Sequence, residues 1–139
     1  MAKETAESLI EDFLAIGVKD RLNLLLEFSE NLPALPERYV DHPDLLERVE
    51  ECQSPIFLFV EVSGGLVHLF FSAPPEAPTT RGFASILHSV IDGLTIQEVL
   101  DFDDDFPSKI GLTEAVSPLR IRGMRGMLAR IKRQVREKQ

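Results

Sequence analysis

A chain of 139 residues, 44% hydrophobic and 27% charged, is long enough for one domain with a sizeable core and has the make-up of an ordinary water-soluble protein. Its formal net charge of −8 divides into −15 over residues 1–116 and +7 over residues 117–139; the acidic bulk argues against a general nucleic-acid binder, which needs a cationic footprint, and the basic C-terminal segment reads as a solvated helix face, with a contact stripe as the alternative. A single cysteine excludes an intramolecular disulfide, and no stretch approaches the roughly 20 apolar residues of a membrane span.

The N-terminal stretch, MAKETAESLIEDF, lacks the long apolar run after a basic start that marks a signal peptide. The chain therefore reads as cytoplasmic. Over residues 6–16, Leu9, Ile10, Phe13, Leu14 and Ile16 recur at helical spacing, with acids between them. A second helix fits 19–31, with Leu22, Leu25, Leu26 and Phe28 as its apolar stripe and Asp20 as its N-cap. Pro33 and Pro36 end it. Residues 33–51 are polar and lack a clear period, which predicts a long ordered loop of the kind that often carries function.

Residues 55–62 and 66–71 are two β-rich runs around Gly64-Gly65, the signature of a hairpin. The first run is apolar at every residue from Ile56 to Val60, so it is expected at the centre of the sheet. Residues 72–78 hold Pro74, Pro75 and Pro78 and must be irregular. A third helix over 79–92 turns Phe83, Ile86, Leu87, Val90 and Ile91 inward, and Gly93 suits its end. Thr95 then caps a short helix through Leu100, with Glu98 at the reciprocal position. Residues 101–116 read as acidic loop and turn.

Ser117-Pro118 is a cap followed by proline in the first turn of the last helix. That helix carries Ile121, Met124, Leu128, Ile131 and Val135 at spacings of three and four. Gly123 and Gly126 interrupt it at a cost of about 1 kcal/mol each against alanine, which a close helix-to-backbone approach would explain. The order α-α-β-β-α-α-α gives an α+β fold, a small antiparallel sheet packed against several helices, in one domain over 1–139.

Cys52 lies in Val49-Glu-Glu-Cys-Gln-Ser-Pro55, between the long loop and the first strand. A thiol at such a junction can be partly exposed and still rigidly held. That suits a sulfur carrier, whose thiolate takes the outer sulfur of a donor persulfide. A second cysteine nearby would resolve the persulfide to a disulfide and lose the sulfur, and here there is none. The competing reading is an inert buried cysteine. Glu50 and Glu51 disfavour a thiolate, so a reactive sulfur calls for a compensating cation, for which Arg48, Arg81 and Arg120 are the candidates.

His42, His68 and His88 stand in no nucleophile signature that would pair one of them with Cys52. The run Asp101, Asp103, Asp104, Asp105 lacks the glycine and distal glutamate of a calcium loop and reads as a solvated turn. No zinc-ligand spacing and no phosphate-cradling glycine loop is present, so no metal or cofactor is expected.

The pattern resembles the SufE-type sulfur acceptors, including the related CsdE proteins, over nearly the whole chain. Glu47-Arg-Val-Glu-Glu-Cys-Gln-Ser54 is similar to that family's persulfide-cysteine segment, with Glu51 where the family has glycine. Leu32-Pro33, Arg81-Gly82, Gly93-Leu-Thr95 with Val99 and Phe102, and Leu112 followed by Ser117-Pro-Leu-Arg-Ile-Arg-Gly-Met124 resemble further family segments in the same order. Phe57 stands where many members have tryptophan, and the proline-rich segment Ser72–Pro78 is longer than the family's corresponding loop.

The resemblance implies a SufE/IscU-like fold, persulfide carriage on Cys52, and a part for Arg120 in ordering the cysteine loop. It also implies a PLP-dependent cysteine desulfurase of the SufS or CsdA type as partner, delivery toward a SufB-type scaffold, and iron–sulfur cluster assembly as the destination. Such a protein accelerates its partner by removing product sulfur and is not a turnover enzyme. The alternatives are a desulfurase-binding regulator that carries no sulfur and an interaction module whose cysteine is structural.

Overall fold

The computed structural model describes residues 5–139; Met1–Glu4, where the N-terminal stretch begins, lie outside the described residues. Helix α1 (Ala6–Leu14) opens on Thr5, whose hydroxyl accepts the backbone N–H of Ser8 while the Ser8 hydroxyl accepts that of Thr5. Its inward face is Leu9 and Phe13; Leu14, expected in the stripe, is half exposed. Helix α2 (Val18–Glu30) is capped by Gly17 in extended conformation, and Asp20 sits in the first turn. This corrects Asp20 as the cap. Its carboxylate still faces the positive end of the helix dipole.

The segment expected as a long loop is more structured than its sequence shows. It holds a short helix, α3 (Glu37–Val40), a 3₁₀ turn over Pro43–Leu45 and a two-residue strand, β1 (Glu47–Arg48). Elements of two to four residues are too short to express a hydrophobic period. Strand β2 (Phe57–Ser63) and strand β3 (Leu66–Ser72) form the expected hairpin, with Gly64 and Gly65 at φ +60° and +78° in its turn. The antiparallel order β1-β2-β3 puts β2 at the centre, paired with Glu47 through Leu58 and with Leu69 through Val60.

Helix α4 (Pro78–Ile91) follows, then α5 (Ile96–Leu100), α6 (Phe106–Lys109) and the long α7 (Pro118–Lys138). Gly93, with φ +89°, turns the chain after α4. Thr95 and Glu98 form the expected reciprocal cap of α5, and the Ser117 hydroxyl accepts a bond from Arg120 N–H at the start of α7. Helix α6 is a second short element inside a segment read as loop.

The architecture is α+β. Helices α4 and α7 pack on one face of the hairpin, and α2 packs outside α4. Leu58, Val60, Val67, Leu69 and Phe71 from the sheet meet Phe83, Ile86, Leu87, Met124, Leu128 and Ile131 from these helices in one core. On the other face Tyr39 of α3 lies 5.0 Å from the Phe59 ring and 5.1 Å from the Phe70 ring. Both sheet edges are covered in part. Gln134 Oε1 accepts Val60 N–H at 2.9 Å beyond the end of β1, and Asp92 Oδ1 accepts Leu69 N–H at 2.8 Å on the outer side of β3. Such capping blunts edge-to-edge association.

Helices α2 and α4 approach closely at Gly82, where a Cβ would lie 2.5 Å from the Leu25 carbonyl oxygen. A backbone atom cannot step aside as a side-chain tip can. Gly82→Ala gains about 1 kcal/mol in helix propensity, but over-packing of this kind costs about 1–3 kcal/mol. We expect net destabilisation, seen as a lower urea midpoint at unchanged m-value.

Candidate functional site

Cys52 occupies the turn that connects β1 to β2. Val49 N–H donates to the Ile56 carbonyl at 2.9 Å and closes the base of the turn; Cys52 N–H donates back to the Val49 carbonyl at 3.1 Å. Val49 and Ile56 are fully buried and anchor the two ends. The turn is therefore short, closed by its own backbone and fastened to the core.

The turn lies directly on α7. A Cβ at Gly123 would stand 2.9 Å from Cys52 Sγ, and a Cβ at Gly126 would stand 2.6–2.7 Å from Cβ, Cγ and Cδ of Glu51. The two glycines, one turn apart, leave a groove that receives Glu51 and Cys52 side by side. This is the close approach that their cost in the helix predicted.

Cys52, expected to be partly exposed, is buried, with only 7% of the residue exposed. Burial first and the Glu51 carboxylate second, opposed by Arg130, together push the Cys52 thiol up to about 11. Beside Sγ lies a cleft of about 30 Å³, lined by Cys52, Gln53, Ser54, Thr80, Leu119, Arg120 and Gly123. That is room for about one water-sized atom.

The compensating cation is Arg130, not one of the three arginines proposed from the sequence. Arg130 Nε donates to Glu51 Oε1 at 2.9 Å and its Nη1 to Glu47 Oε2 at 2.6 Å. Glu47 also accepts from Gln134 Nε2 at 3.0 Å and from Arg133. Burial pushes both carboxyls up, but the arginine hydrogen bonds outweigh it and hold Glu47 and Glu51 below the usual carboxylate range.

Arg81 donates to the Ser29 carbonyl at 2.8 Å and the Ala73 carbonyl at 2.7 Å, tying α4 to α2 and to the segment after β3. Arg48 lies 4.0 Å from Glu50. Arg120 is exposed and lines the cleft beside Cys52. The signal that finds Arg130 is its place four residues after Gly126 and seven after Gly123, on the same helix face.

The remaining candidates gather elsewhere. No histidine lines the cleft; His68 and His88 lie 3.8 and 3.6 Å from Asp92 Oδ1 beside the outer edge of β3. Among the acids after α5, Asp103 pairs with Lys109, Asp104 with Lys132 and Asp105 with Arg125. Among the described residues no group of three or more His, Cys, Asp or Glu is placed to hold a metal ion. Among the same residues no helix is long and apolar enough to cross a membrane.

A family model for SufE, described as an Fe-S metabolism associated domain, matches residues 7–135. An uncharacterized SufE-like protein of Mycobacterium tuberculosis is 50% identical over 130 residues, covering 93% of this chain and 90% of that one. SufE-like protein 1 of Arabidopsis thaliana, described as chloroplastic/mitochondrial, is 26% identical over 112 residues, covering 79% of this chain and 29% of that longer one. The solution structure of a hypothetical protein from Thermus thermophilus superposes with a TM-score of 0.84 at 36% identity, over 99% of this chain and 97% of that one.

Two outcomes test the geometry. Gly123→Ala puts a methyl group against Sγ, so the turn must lift; we expect faster alkylation of Cys52 under native conditions and a stability loss of up to about 2 kcal/mol, over-packing offset by helix propensity. The second outcome is pH dependence. The lowered Glu47 and Glu51 values stabilise the fold above the ordinary carboxylate range, and that share is lost as pH falls through them. The raised Cys52 value stabilises below the ordinary thiol range and is lost as pH rises toward about 11. Urea midpoints should therefore fall on both sides, with the acid limb flattened by a Glu47→Gln/Glu51→Gln double variant and the alkaline limb by Cys52→Ala.

Proposed function

The chain belongs to the SufE family, and from that premise we propose that Cys52 accepts sulfur from a cysteine desulfurase persulfide and relays it toward iron–sulfur cluster assembly. The Cys52 thiolate attacks the outer sulfur of the donor persulfide. The donor S–S bond breaks, the donor cysteine leaves as a thiolate, and a persulfide forms on Cys52. The exchange is isoelectronic and needs no added oxidant or reductant. The outgoing step repeats it in reverse toward an acceptor, for which a SufB-type scaffold is the natural candidate. The setting is the cytoplasm, where free thiols stay reduced.

The observation that carries this reading is the seat of Cys52. It is the chain's only cysteine, it rides a turn closed by its own backbone, and it borders a cleft of about 30 Å³. One extra sulfur atom fits such a space, and no second thiol can discharge the persulfide. Gln53, Ser54, Thr80 and Arg120 on the cleft wall are the polar residues among which that sulfur would sit; we give Arg120 the role of holding the turn and the outer sulfur. Delivery requires the turn to lift, because a cysteine this deeply buried cannot be reached by a second active site.

The same burial favours a second reading, a regulator that binds the desulfurase and carries no sulfur. A thiol pushed up to about 11 is almost wholly protonated at neutral pH. Intact mass separates the two readings. After incubation with cysteine and the native desulfurase, we expect a gain of one sulfur atom that reductant removes and Cys52→Ser abolishes. Stimulated desulfurase turnover with no gain in mass would establish the regulator instead.

A further inference from the structure

The position before the cysteine is the part of this site that the family reading leaves unexplained. Glu51 fills the slot made by Gly126, and its carboxylate is met by Arg130 Nε at 2.9 Å. The same guanidinium holds Glu47 through Nη1 at 2.6 Å. One arginine thus grips the strand just before the turn and the residue just before the sulfur. Arg133 and Gln134 hold Glu47 from the next turn of α7. Side-chain exposures of 22% for Arg130 and 30% for Glu51 make the pair too buried to be a negligible surface contact, yet open at its rim.

We propose that Glu51 and Arg130 are positioning residues that latch the Cys52 turn onto the glycine groove of α7, so that a docking partner must break this ion pair to reach the thiol. The proposal rests on Cys52 being the exchanging sulfur and adds what controls access to it. With the latch closed, Sγ is packed against Gly123 and a carboxylate stands one residue away, so the thiol is both covered and kept protonated. A partner that offers a basic group to Glu51 releases the turn and removes the charge that disfavours the thiolate in one event. The latch also shields a loaded persulfide from water and stray thiols between partners. Glu50 and Arg48 pair with each other outside the fork, whereas Arg122 adds a weaker attraction to Glu51.

Alkylation of Cys52 as a function of pH, with urea unfolding as the control for folding, tests the latch without requiring any sulfur transfer. Glu51→Gln keeps the shape and removes the charge; we expect alkylation to quicken and its pH midpoint to fall, by about tenfold in rate at neutral pH for each unit of midpoint. Arg130→Gln frees the turn but leaves the carboxylate and removes the cation that opposes it, so the limiting rate at high pH rises while the midpoint falls less than in Glu51→Gln. The double variant should alkylate no faster than Glu51→Gln, because both changes open one latch. If Arg130→Gln does not fold, Arg130→Lys keeps the charge, loses the fork and should show the smaller rise.

Unchanged alkylation profiles in variants that lose only stability would overturn the latch and leave a structural tie. The outcome is distinguishable from failure of the carrier reading. Faster alkylation with no persulfide on the wild type supports the latch and removes the carrier; persulfide loading with unchanged alkylation does the reverse.

Discussion

The contact between the cysteine turn and α7 is the constraint on which the rest of the site depends. Two side chains, Glu51 and Cys52, lie where the helix has none, at Gly123 and Gly126. A methyl group at either position would occupy their space. Everything else follows from that closeness. The thiol is buried because the helix covers it, Arg130 can reach Glu51 because the turn lies flat, and the cleft beside Sγ is small because Gly123 and Leu119 wall it. The core then fixes α7 in turn, through Ile121, Met124, Leu128, Ile131 and Val135 on its buried face.

Burial and charge pull the chemistry in opposite directions. A persulfide held in transit gains from a dry, enclosed seat with no second thiol. A nucleophile gains from a low thiolate pKa and an open approach, and this thiol has neither at rest. The two needs are met by one residue only if the turn has two positions. A glycine before the cysteine would let the backbone move freely; here Glu51 replaces that freedom with an ion pair. Motion of the turn is thereby tied to electrostatics at its rim.

Much of the fold was legible because long elements write their period into the chain. The stripe Phe83–Ile86–Leu87–Val90–Ile91 is buried throughout α4, and the Thr95–Glu98 cap and the Gly64-Gly65 hairpin turn appear where their residues require. The segment 33–51 was not legible. Its α3, 3₁₀ turn and β1 are held by tertiary contacts such as Tyr39 on Phe59 and Phe70 and by Arg130 on Glu47, and none of these leaves a local pattern. The site divides in the same way. Cys52 and the two glycines announced themselves by residue type. Arg130 did not, since one arginine among eight basic residues after Ser117 is distinguished only by the helix face it shares with Gly123 and Gly126. The cover on the thiol leaves no local signal either, because the atoms that pack on it are 71 residues further along the chain, at Gly123.

A single cysteine makes the central claim open to direct observation at the sulfur. With the protein labelled by cysteine carrying ¹³C at Cβ, one resonance reports on Cys52 alone. Addition of unlabelled cysteine and the native desulfurase should move that resonance to the position of a persulfide, and reductant should return it. A resonance that stays at the thiol position while the desulfurase turns over would contradict sulfur carriage by Cys52.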